Sequence, residues 1–213
     1  RVPKSGQSFS AQTQLSTTGS LSNLDNSVGS RLSQIIQARG KKFDMVIGGV
    51  AEQTGEWKDA EGDVLPPTYG LGETDSYNAF LKLGYQVKSN QRLQLAYNFY
   101  SSEQKTNYGS EFGNYDLREK TKAVLGPENG VPQGVRGNHN LNLNFSNQKA
   151  FLGSSYQVDA YLQSVDNVFF YSPVFVGGGQ SMISSDKKGL RLFIHTPLIG
   201  TSQVRVIFLM ASI

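Results

Sequence analysis

Three acidic residues at alternate positions, Asp59, Glu61 and Asp63, could bind a metal ion. Calcium loops of the EF-hand type begin with this spacing, but they need a glycine at the sixth position and a glutamate at the twelfth. Val64 stands at the sixth position here, and the twelfth is not acidic. The pattern therefore favours a tight polar turn over a metal site.

Other residues that carry chemistry are sparse. His139 and His195 each lie among alternating apolar residues, where a hydrogen-bonded or lumen-facing imidazole is more common than a metal ligand. The sequence Gly70-Leu71-Gly72-Glu73 precedes no predicted helix, so it does not indicate a dinucleotide site. The chain has no cysteine, no nucleophile elbow and no paired histidine and acid motif. We predict a protein that is not an enzyme and that has neither a metal site nor a cofactor.

The elements that would position these side chains show a period of two. Apolar and polar side chains alternate over 77–87, 93–99, 141–145 and 156–163. A β-strand sends successive side chains to opposite faces, so each segment has one apolar and one polar face. In a sandwich the apolar face points inward, whereas in a transmembrane barrel it faces lipid and the polar face lines a watery lumen.

Composition favours the barrel. Only 38% of the 213 residues are hydrophobic, which is lean for a sandwich of this size but suits a barrel with a polar interior. The longest apolar run, from Val206 to Ala211, is far shorter than the roughly 20 residues of a spanning helix. The net charge of +3 comes from charges spread along the chain, so we do not expect nucleic acid as a partner.

The alternation predicts nine antiparallel strands of about ten residues or more. Their expected bounds are 7–17, 26–38, 42–54, 76–88, 91–104, 138–148, 151–164, 187–197 and 203–211. The connections alternate strictly between long and short, as in an up-and-down barrel with short turns at one end and long loops at the other. The long ones are 55–75, 105–137 and 165–186, with a shorter one at 18–25 in the same series, and the short ones are 39–41, 89–90, 148–149 and 197–202.

A family resemblance rests on several loose motifs in order along the chain. The segment 75–97 resembles the barrel of TonB-dependent outer-membrane receptors. The resemblance lies in Asp75-Ser76-Tyr77, Lys82-Leu83-Gly84-Tyr85, Arg92-Leu93 and Tyr97. The stretch 59–67 and the stretch 188–198 are similar to segments of the same family. The resemblance covers most of 7–203 and points to the siderophore-receptor branch. It implies uptake of a ferric siderophore across the bacterial outer membrane, with iron present only in the carried complex.

The resemblance also implies candidate binding residues. Ferric chelates are often aromatic and anionic, so aromatic rings near a cation suit them. The aromatic residues of the long connections are expected to be loop residues outside any strand, and they and Arg118 are the candidate ligand contacts: Trp57, Tyr69, Tyr108, Phe112, Tyr115, Arg118, Phe169, Phe170 and Tyr171, with Phe175 in the same stretch. The rings could equally pack the loops against one another. Polar strand residues expected to face the lumen, and to bind a plug or only water, are Asn78, Lys82, Gln94, Asn98, Asn142, Asn144, Gln157, Asp159 and Gln163.

The chain departs from the family pattern in several respects. The family has a plug domain and an energy-coupling box before a barrel of 22 strands, and neither precedes these nine strands. The sequence starts at Arg1 without a leader and ends at Ile213 rather than on an aromatic residue. Residues 203–213 lose the polar alternation. We expect one partial barrel domain over 1–213, cut at its start, with 203–213 truncated or out of frame.

The sequence therefore predicts an all-β antiparallel meander, an open part of a larger transmembrane barrel. The expected partners are outer-membrane lipid, a ferric siderophore and, in the full-length receptor, the plug and TonB. Two alternatives stay open. A passive porin-like channel would have the same wall without a plug, and a soluble β-rich adhesin or carbohydrate-binding domain would bury the leucines and tyrosines inside a sandwich.

Overall fold

The structure is a computed structural model, and it describes residues 8–69, 72–126, 130–172, 179–197 and 203–212. Phe175, the Gly70-Leu71 pair and most of the expected 197–202 turn lie outside these residues. Strands dominate the described chain, with two short 3-10 turns at Pro67–Tyr69 and Phe151–Gly153. No helix in the described ranges has the length and apolar character needed to cross a membrane.

The described chain contains twelve strands, and nine of them are long. The strands are β1 (Phe9–Thr18), β2 (Gly29–Arg39), β3 (Phe43–Gln53), β4 (Thr74–Lys88), β5 (Gln91–Gln104), β6 (Tyr108–Glu111), β7 (Lys122–Leu125), β8 (Gly134–Val135), β9 (Asn138–Asn147), β10 (Ser155–Ser172), β11 (Gly179–Pro197) and β12 (Gln203–Ser212). The nine long strands match the nine segments with period-two alternation, so the predicted all-β class is confirmed.

The long strands form one antiparallel meander in the order β1-β2-β3-β4-β5-β9-β10-β11-β12. Within the described residues, β1 and β12 each pair on one side only, so the sheet is open. The prediction of an open antiparallel meander is confirmed. Odd and even connections lie at opposite ends of such a sheet, which places the long connections together at one end, the loop end, and the short ones at the other, the turn end.

The expected loop over 165–186 is wrong. Strand β10 continues to Ser172 and β11 begins at Gly179, and the two pair from Ser155 with His195 to Ser172 with Gly179. The register is irregular between Val168 and Tyr171. A bulge of this kind breaks the period of two, so the sequence of this hairpin lacks the alternation that marks the other strands. At its other end β10 starts at Ser155 rather than 151, after a 3-10 turn.

The expected loop over 105–137 also contains strands. Its first part forms the β6–β7 hairpin, in which Tyr108 pairs with Leu125 and Glu111 with Lys122. Its last part contributes β8, which pairs with the extended end of β10. These strands are two to four residues long. So short a segment shows no measurable alternation, and the turn-forming residues around it dominated the prediction.

Register divides the sheet into two faces. Paired residues in an antiparallel sheet share a face, and the face changes with each residue along a strand. Leu83 pairs with Met45 and Leu95, and Leu95 pairs with Leu143, so these residues belong to one surface, which we call the apolar face. Their chain neighbours form the opposite surface, which we call the polar face.

The apolar face has no second layer over it among the described residues. Val46 and Val168 are the only buried hydrophobic residues in the described part of the chain, and Val46 belongs to the polar face. On the apolar face Tyr77 remains 52% exposed and Leu143 remains 44% exposed. Sheets of a sandwich bury these positions in a core about 10 Å thick. The nine long strands therefore form one sheet with no second layer packed on its apolar face.

Candidate functional site

Three of the long connections meet at one buried carboxylate. Glu56 is 7% exposed and accepts hydrogen bonds from Tyr108 Oη at 3.3 Å and Asn26 Nδ2 at 3.4 Å. Asn26, Glu56 and Tyr108 belong to the β1–β2, β3–β4 and β5–β9 connections. Lys58 Nζ lies 3.5 Å from the Glu56 carboxylate and balances its charge. Burial raises the pKa of Tyr108, and the nearby Glu56 carboxylate raises it further. We call this set of joined connections the loop cap.

A second group of contacts ties the loop cap to the sheet. The Gln133 side-chain amide donates to Pro67 O and to Gln104 Oε1, at the end of β5. Pro67 is fully buried. At the edge of the cap, Lys105 Nζ lies 2.8 Å from Asp75 Oδ2, and this carboxylate raises the pKa of Lys105. The cap is thus a packed layer, whose contacts join residues far apart in sequence.

The three carboxylates at 59–63 surround an ammonium group. Asp59 Oδ1 accepts backbone hydrogen bonds from Glu61 and Asp63 at 3.0 Å each, so the tight polar turn predicted here is present. Lys120 Nζ lies 2.9, 3.0 and 3.1 Å from the carboxylates of Asp59, Glu61 and Asp63. Lys120 lowers the pKa of Asp59, and the hydrogen bonds that Lys120 Nζ donates to the three carboxylates raise the pKa of Lys120. The site holds the 112–121 segment against the turn.

The candidate ligand contacts of the loop cap divide by exposure. Trp57 is 49% exposed, Tyr69 54% and Tyr115 95%, so their rings lie on the outer surface of the cap. Phe112 is half-buried, and the exposed Arg118 follows Tyr115 in one turn, where Arg118 N donates to Tyr115 O at 3.1 Å.

Four of the candidate ligand contacts, Tyr108, Phe112, Tyr115 and Arg118, belong to the β5–β9 connection. In the described part of the chain these four side chains form no ring stacking and no cation–π contact with one another. Tyr108 points instead to Glu56. The Tyr108 hydroxyl is therefore bound inside the cap, whereas Tyr115 and Arg118 are exposed.

The other three candidate contacts lie in a strand. Phe169, Phe170 and Tyr171 belong to the extended end of β10, and Tyr108 begins β6, so the expectation that these four are loop residues is wrong. Phe169 is 43% exposed, and its carbonyl accepts a hydrogen bond from Gln180 Nε2 of β11 at 2.8 Å. The β10–β11 hairpin carries these rings beyond the end of the neighbouring strands, to the loop end of the sheet.

The polar face brings the other predicted set together. Register places all nine residues on this face: Asn78, Lys82, Gln94, Asn98, Asn142, Asn144, Gln157, Asp159 and Gln163. Several bind one another, across strands or along one strand. Asn78 Nδ2 donates to Asn98 Oδ1 at 3.2 Å, and Asp159 accepts from Asn144 at 2.5 Å and from Gln157 at 2.9 Å. The face therefore presents carboxylate, amide and ammonium groups on one surface.

An ion pair on the polar face was missed by the sequence analysis. Asp44 is 7% exposed and binds Arg92 Nη2 through both oxygens, at 2.9 and 2.7 Å. The guanidinium crosses over Gly84 of the intervening strand, and a Cβ there would lie 2.6 and 2.7 Å from the Asp44 oxygens. A glycine in the middle of an alternating strand was the one available signal, because such a glycine often marks a close approach.

The two histidines do not lie together. His139 is on the apolar face, where Tyr97 Oη lies 2.8 Å from His139 Nδ1 and the Phe99 ring centroid lies 5.0 Å from its own. His139 is therefore hydrogen-bonded, as one of the two predicted alternatives states. His195 pairs with Ser155 at the turn end of the sheet.

No protein-family model matches this chain, and no solved structure is significantly similar to it. The functional inference therefore depends on the two faces of the sheet and on the loop cap.

Proposed function

We propose that this chain is part of the wall of a transmembrane β-barrel in the bacterial outer membrane. The apolar face would contact lipid and the polar face would line the lumen. Following the family resemblance, the intact protein would be a TonB-dependent receptor for a ferric siderophore. The observation that carries the proposal is the apolar face, which has no protein layer over it in the described chain.

The energetic argument concerns where this face can be stable. Burying apolar surface contributes about 25 cal/mol per Å². A sheet of nine long strands that left such a face in water would forgo that contribution and would associate through it. Hydrocarbon covers the face without a second protein layer. In hydrocarbon all backbone groups must be paired, so the two open edges must pair as well, with further strands of the intact protein or, where this chain inserts alone, with the edges of other copies.

The position of the apolar band supports tilted strands. One line of paired residues crosses the sheet from Phe9 in β1 to Met210 in β12. In β1 this line passes through Phe9, and the apolar stretch continues from there toward the loop end, as far as Leu15. In β12 the line passes through Met210, and the apolar stretch continues in the opposite direction, toward the turn end, as far as Val204. The band is displaced by roughly 20 Å along the strands, at a rise of about 3.3 Å per residue. Strands that cross a flat bilayer at a tilt produce this displacement.

The two ends of the sheet support an orientation. Outer-membrane barrels have short turns on the periplasmic side and long loops outside. The loop cap would then face the exterior, with Trp57, Tyr69, Tyr115 and Arg118 available to a ligand. Exposed rings and a guanidinium suit an aromatic anionic chelate. In the full receptor, capture at the cap would precede a TonB-driven rearrangement of a plug against the polar face.

The absence of cysteine allows a direct test of the wall. Leu143→Cys and Asn142→Cys place one thiol on each face at adjacent positions of β9. The full chain would be refolded with lipid vesicles and labelled with a polarity-sensitive fluorophore. We expect brominated acyl chains to quench the label at 143, and an aqueous quencher to act more strongly on the label at 142.

Two results would contradict the proposal that this chain is part of a transmembrane barrel wall. Equal access of the aqueous quencher to both labels would place both faces in water. A monodisperse monomer without detergent, with the label at 143 shielded, would favour the soluble adhesin class.

The ligand is tested separately through Trp57, the only tryptophan of the chain. Because Trp57 lies in the loop cap, a ferric siderophore bound there should quench its emission saturably, and the iron-free siderophore should do so less. A Trp57→Phe variant provides the baseline. Absence of quenching by ferric catecholates and hydroxamates would reject the siderophore while leaving the wall in place.

A further inference from the structure

We infer that the polar face carries a binding site for a small dicarboxylate, formed by Arg191, Tyr161 and Lys187. The three side chains belong to the neighbouring strands β10 and β11. The inference goes beyond the proposed function, because it requires only that the polar face lies in water. It involves neither the loop cap nor the ferric siderophore.

Register brings the three side chains together. Tyr161 of β10 pairs with Gly189 of β11. Lys187 and Arg191 lie two positions to either side of this glycine. Side chains two positions apart along a strand share a face, and paired residues do so as well. All three therefore project from the polar face.

The glycine allows the tyrosine to cross over β11. A Cβ added to Gly189 would lie 2.5 Å from both Cζ and Oη of Tyr161, so the phenol occupies the space that a larger residue would need. The Arg191 guanidinium lies over the same ring, with Cζ 4.7 Å from the ring centroid. Stacking on an aromatic ring orients a guanidinium and leaves the N–H groups at its edge able to donate. The arginine is therefore oriented before a ligand binds.

Arg191 has no carboxylate partner among the described residues. Register places Asp159 directly opposite it, but both oxygens of this carboxylate are bound elsewhere. Oδ1 accepts a hydrogen bond from Asn144 at 2.5 Å, and Oδ2 accepts one from Gln157 at 2.9 Å. The guanidinium contacts the Tyr161 ring instead. Its donors therefore stay available to a ligand.

The Asp44–Arg92 pair on the same face shows what Arg191 lacks. Arg92 crosses over Gly84 and binds Asp44 through both oxygens, at 2.9 and 2.7 Å. At Gly189 the crossing side chain is a tyrosine, which contributes no carboxylate. The place beside Arg191 is thus open to a carboxylate from outside the chain. A planar carboxylate matches the fork of guanidinium donors.

A second cation selects a ligand with a second negative group. Lys187 is exposed and forms no ion pair in the part of the chain that the structure describes. Its Cα lies about 13 Å from that of Arg191, at about 3.3 Å per residue, and the Tyr161 phenol crosses between them. The two long side chains reach a ligand that carries a carboxylate at each end. A monocarboxylate would leave one of the two cations without a partner.

The position of the site gives it a place in the proposed wall. Asn142 pairs with Tyr161 and Asn144 pairs with Asp159, so the site is level with Leu143 of the apolar face. A lumen lined by the polar face would hold this site between the loop end and the turn end. Solutes that enter from the loop end would meet it after they pass the loop cap.

The test uses the reaction of arginine with phenylglyoxal, which a bound carboxylate slows. The full chain, refolded with lipid vesicles, would be modified at constant ionic strength with succinate, acetate or inorganic phosphate present. Peptide mass spectrometry then follows each arginine. We expect succinate to slow the modification of Arg191 severalfold and saturably, at a lower concentration than acetate or phosphate. Arg31, on the same face, is held by Glu52 at 3.3 Å and should react at an unchanged rate.

Two adjacent lysines provide matched variants. Lys187→Gln should remove the advantage of succinate over acetate, because the second carboxylate loses its partner. Lys188→Gln removes the same charge one residue away, on the apolar face, and should leave the advantage unchanged. Circular dichroism confirms that each variant keeps its strand content.

Three results would overturn the dicarboxylate site. They are equal protection of Arg31 and Arg191 by succinate, an advantage of succinate over acetate that survives Lys187→Gln, and protection by phosphate as strong as by succinate. The labels at 142 and 143 test the proposed function independently. If they report a lipid-facing wall while Arg191 is unprotected, the wall stands without the site. If they report no wall while Arg191 is protected, the site stands and the proposed function is wrong.

Discussion

The two faces of this sheet are stabilised in different ways. Side chains of the polar face bind one another. Asp44 and Arg92 pair across β3, β4 and β5, and Asn144 donates to Asp159. The apolar face has little of its own beyond cross-strand neighbours, such as Phe145 and Tyr156, whose ring centroids are 6.0 Å apart. The comparison indicates that one face depends on contacts within the chain and the other on the surrounding medium.

The largest expected effect comes from placing a charge on the medium-dependent face. Leu143 lies within the apolar band of β9, and Arg at a lipid-facing position near the bilayer midplane costs about 2–4 kcal/mol. We expect Leu143→Arg to lower the free energy of unfolding by that amount. The measurement is guanidinium unfolding of the chain in lipid vesicles.

Asn142→Arg is the matched control for this change. It adds the same side chain one residue away, on the polar face, where we expect a change within about 0.5 kcal/mol. Comparable losses at 142 and 143 would mean that the faces do not differ in environment, and the contrast between them would be wrong.

A smaller effect is expected from disturbing the polar face at Gly84. A Cβ there would lie 2.6 and 2.7 Å from the two Asp44 oxygens, so Gly84→Ala must displace the Asp44–Arg92 pair. Since Asp44 is buried and Arg92 is partly exposed, we expect a loss of about 1–2 kcal/mol in the same unfolding assay. Gly49→Ala is the control, because its Cβ would meet only Asn78 O at 3.8 Å, an ordinary contact. A greater loss at Gly49 than at Gly84 would contradict the close approach.

The sequence predicted the faces well, because their signal is local. Leu81 and Lys82 fall on opposite faces through a period of two, which any strand obeys whatever its partner. The same alternation identified all nine long strands. Their order followed from the alternation of long and short connections, since consecutive strands in a meander are neighbours.

The loop cap and the β10–β11 extension could not be predicted in the same way. Glu56 and Tyr108 are 52 positions apart, and Asp44 and Arg92 are 48 apart, so their contacts depend on the register of several strands. In the hairpin, the successive large residues Val168 to Tyr171 hide the alternation at a bulge. Pairing with β11 makes this segment a strand, and the sequence of β10 alone does not contain that information.

The smallest effect concerns the exposed ion pairs between Lys120 and the 59–63 turn of the loop cap. The raised pKa of Lys120 means that its contribution to the fold is complete below its ordinary value of 10.5, and is lost as pH rises through the raised pKa. The lowered pKa of Asp59 gives the opposite limit: its contribution is present above 3.8 and is lost as pH falls through the lowered pKa. The 59–63 turn should therefore hold the 112–121 segment from about pH 4 to 10.5.

Trp57 is the reporter for this contact, because its carbonyl accepts a hydrogen bond from Leu65 N, at 2.7 Å, beside the turn. We expect Trp57 emission to change below pH 4, and to change at pH 7 in Lys120→Met, while the strand signal in circular dichroism stays constant. Salt at about 1 M should produce part of the same shift, since exposed charges are screened. Lys122→Met should leave the emission unchanged at pH 7. If Lys120→Met also leaves the emission unchanged, the turn is held by its backbone hydrogen bonds to Asp59. The cap, like the polar face, is then stabilised by contacts that salt does not screen.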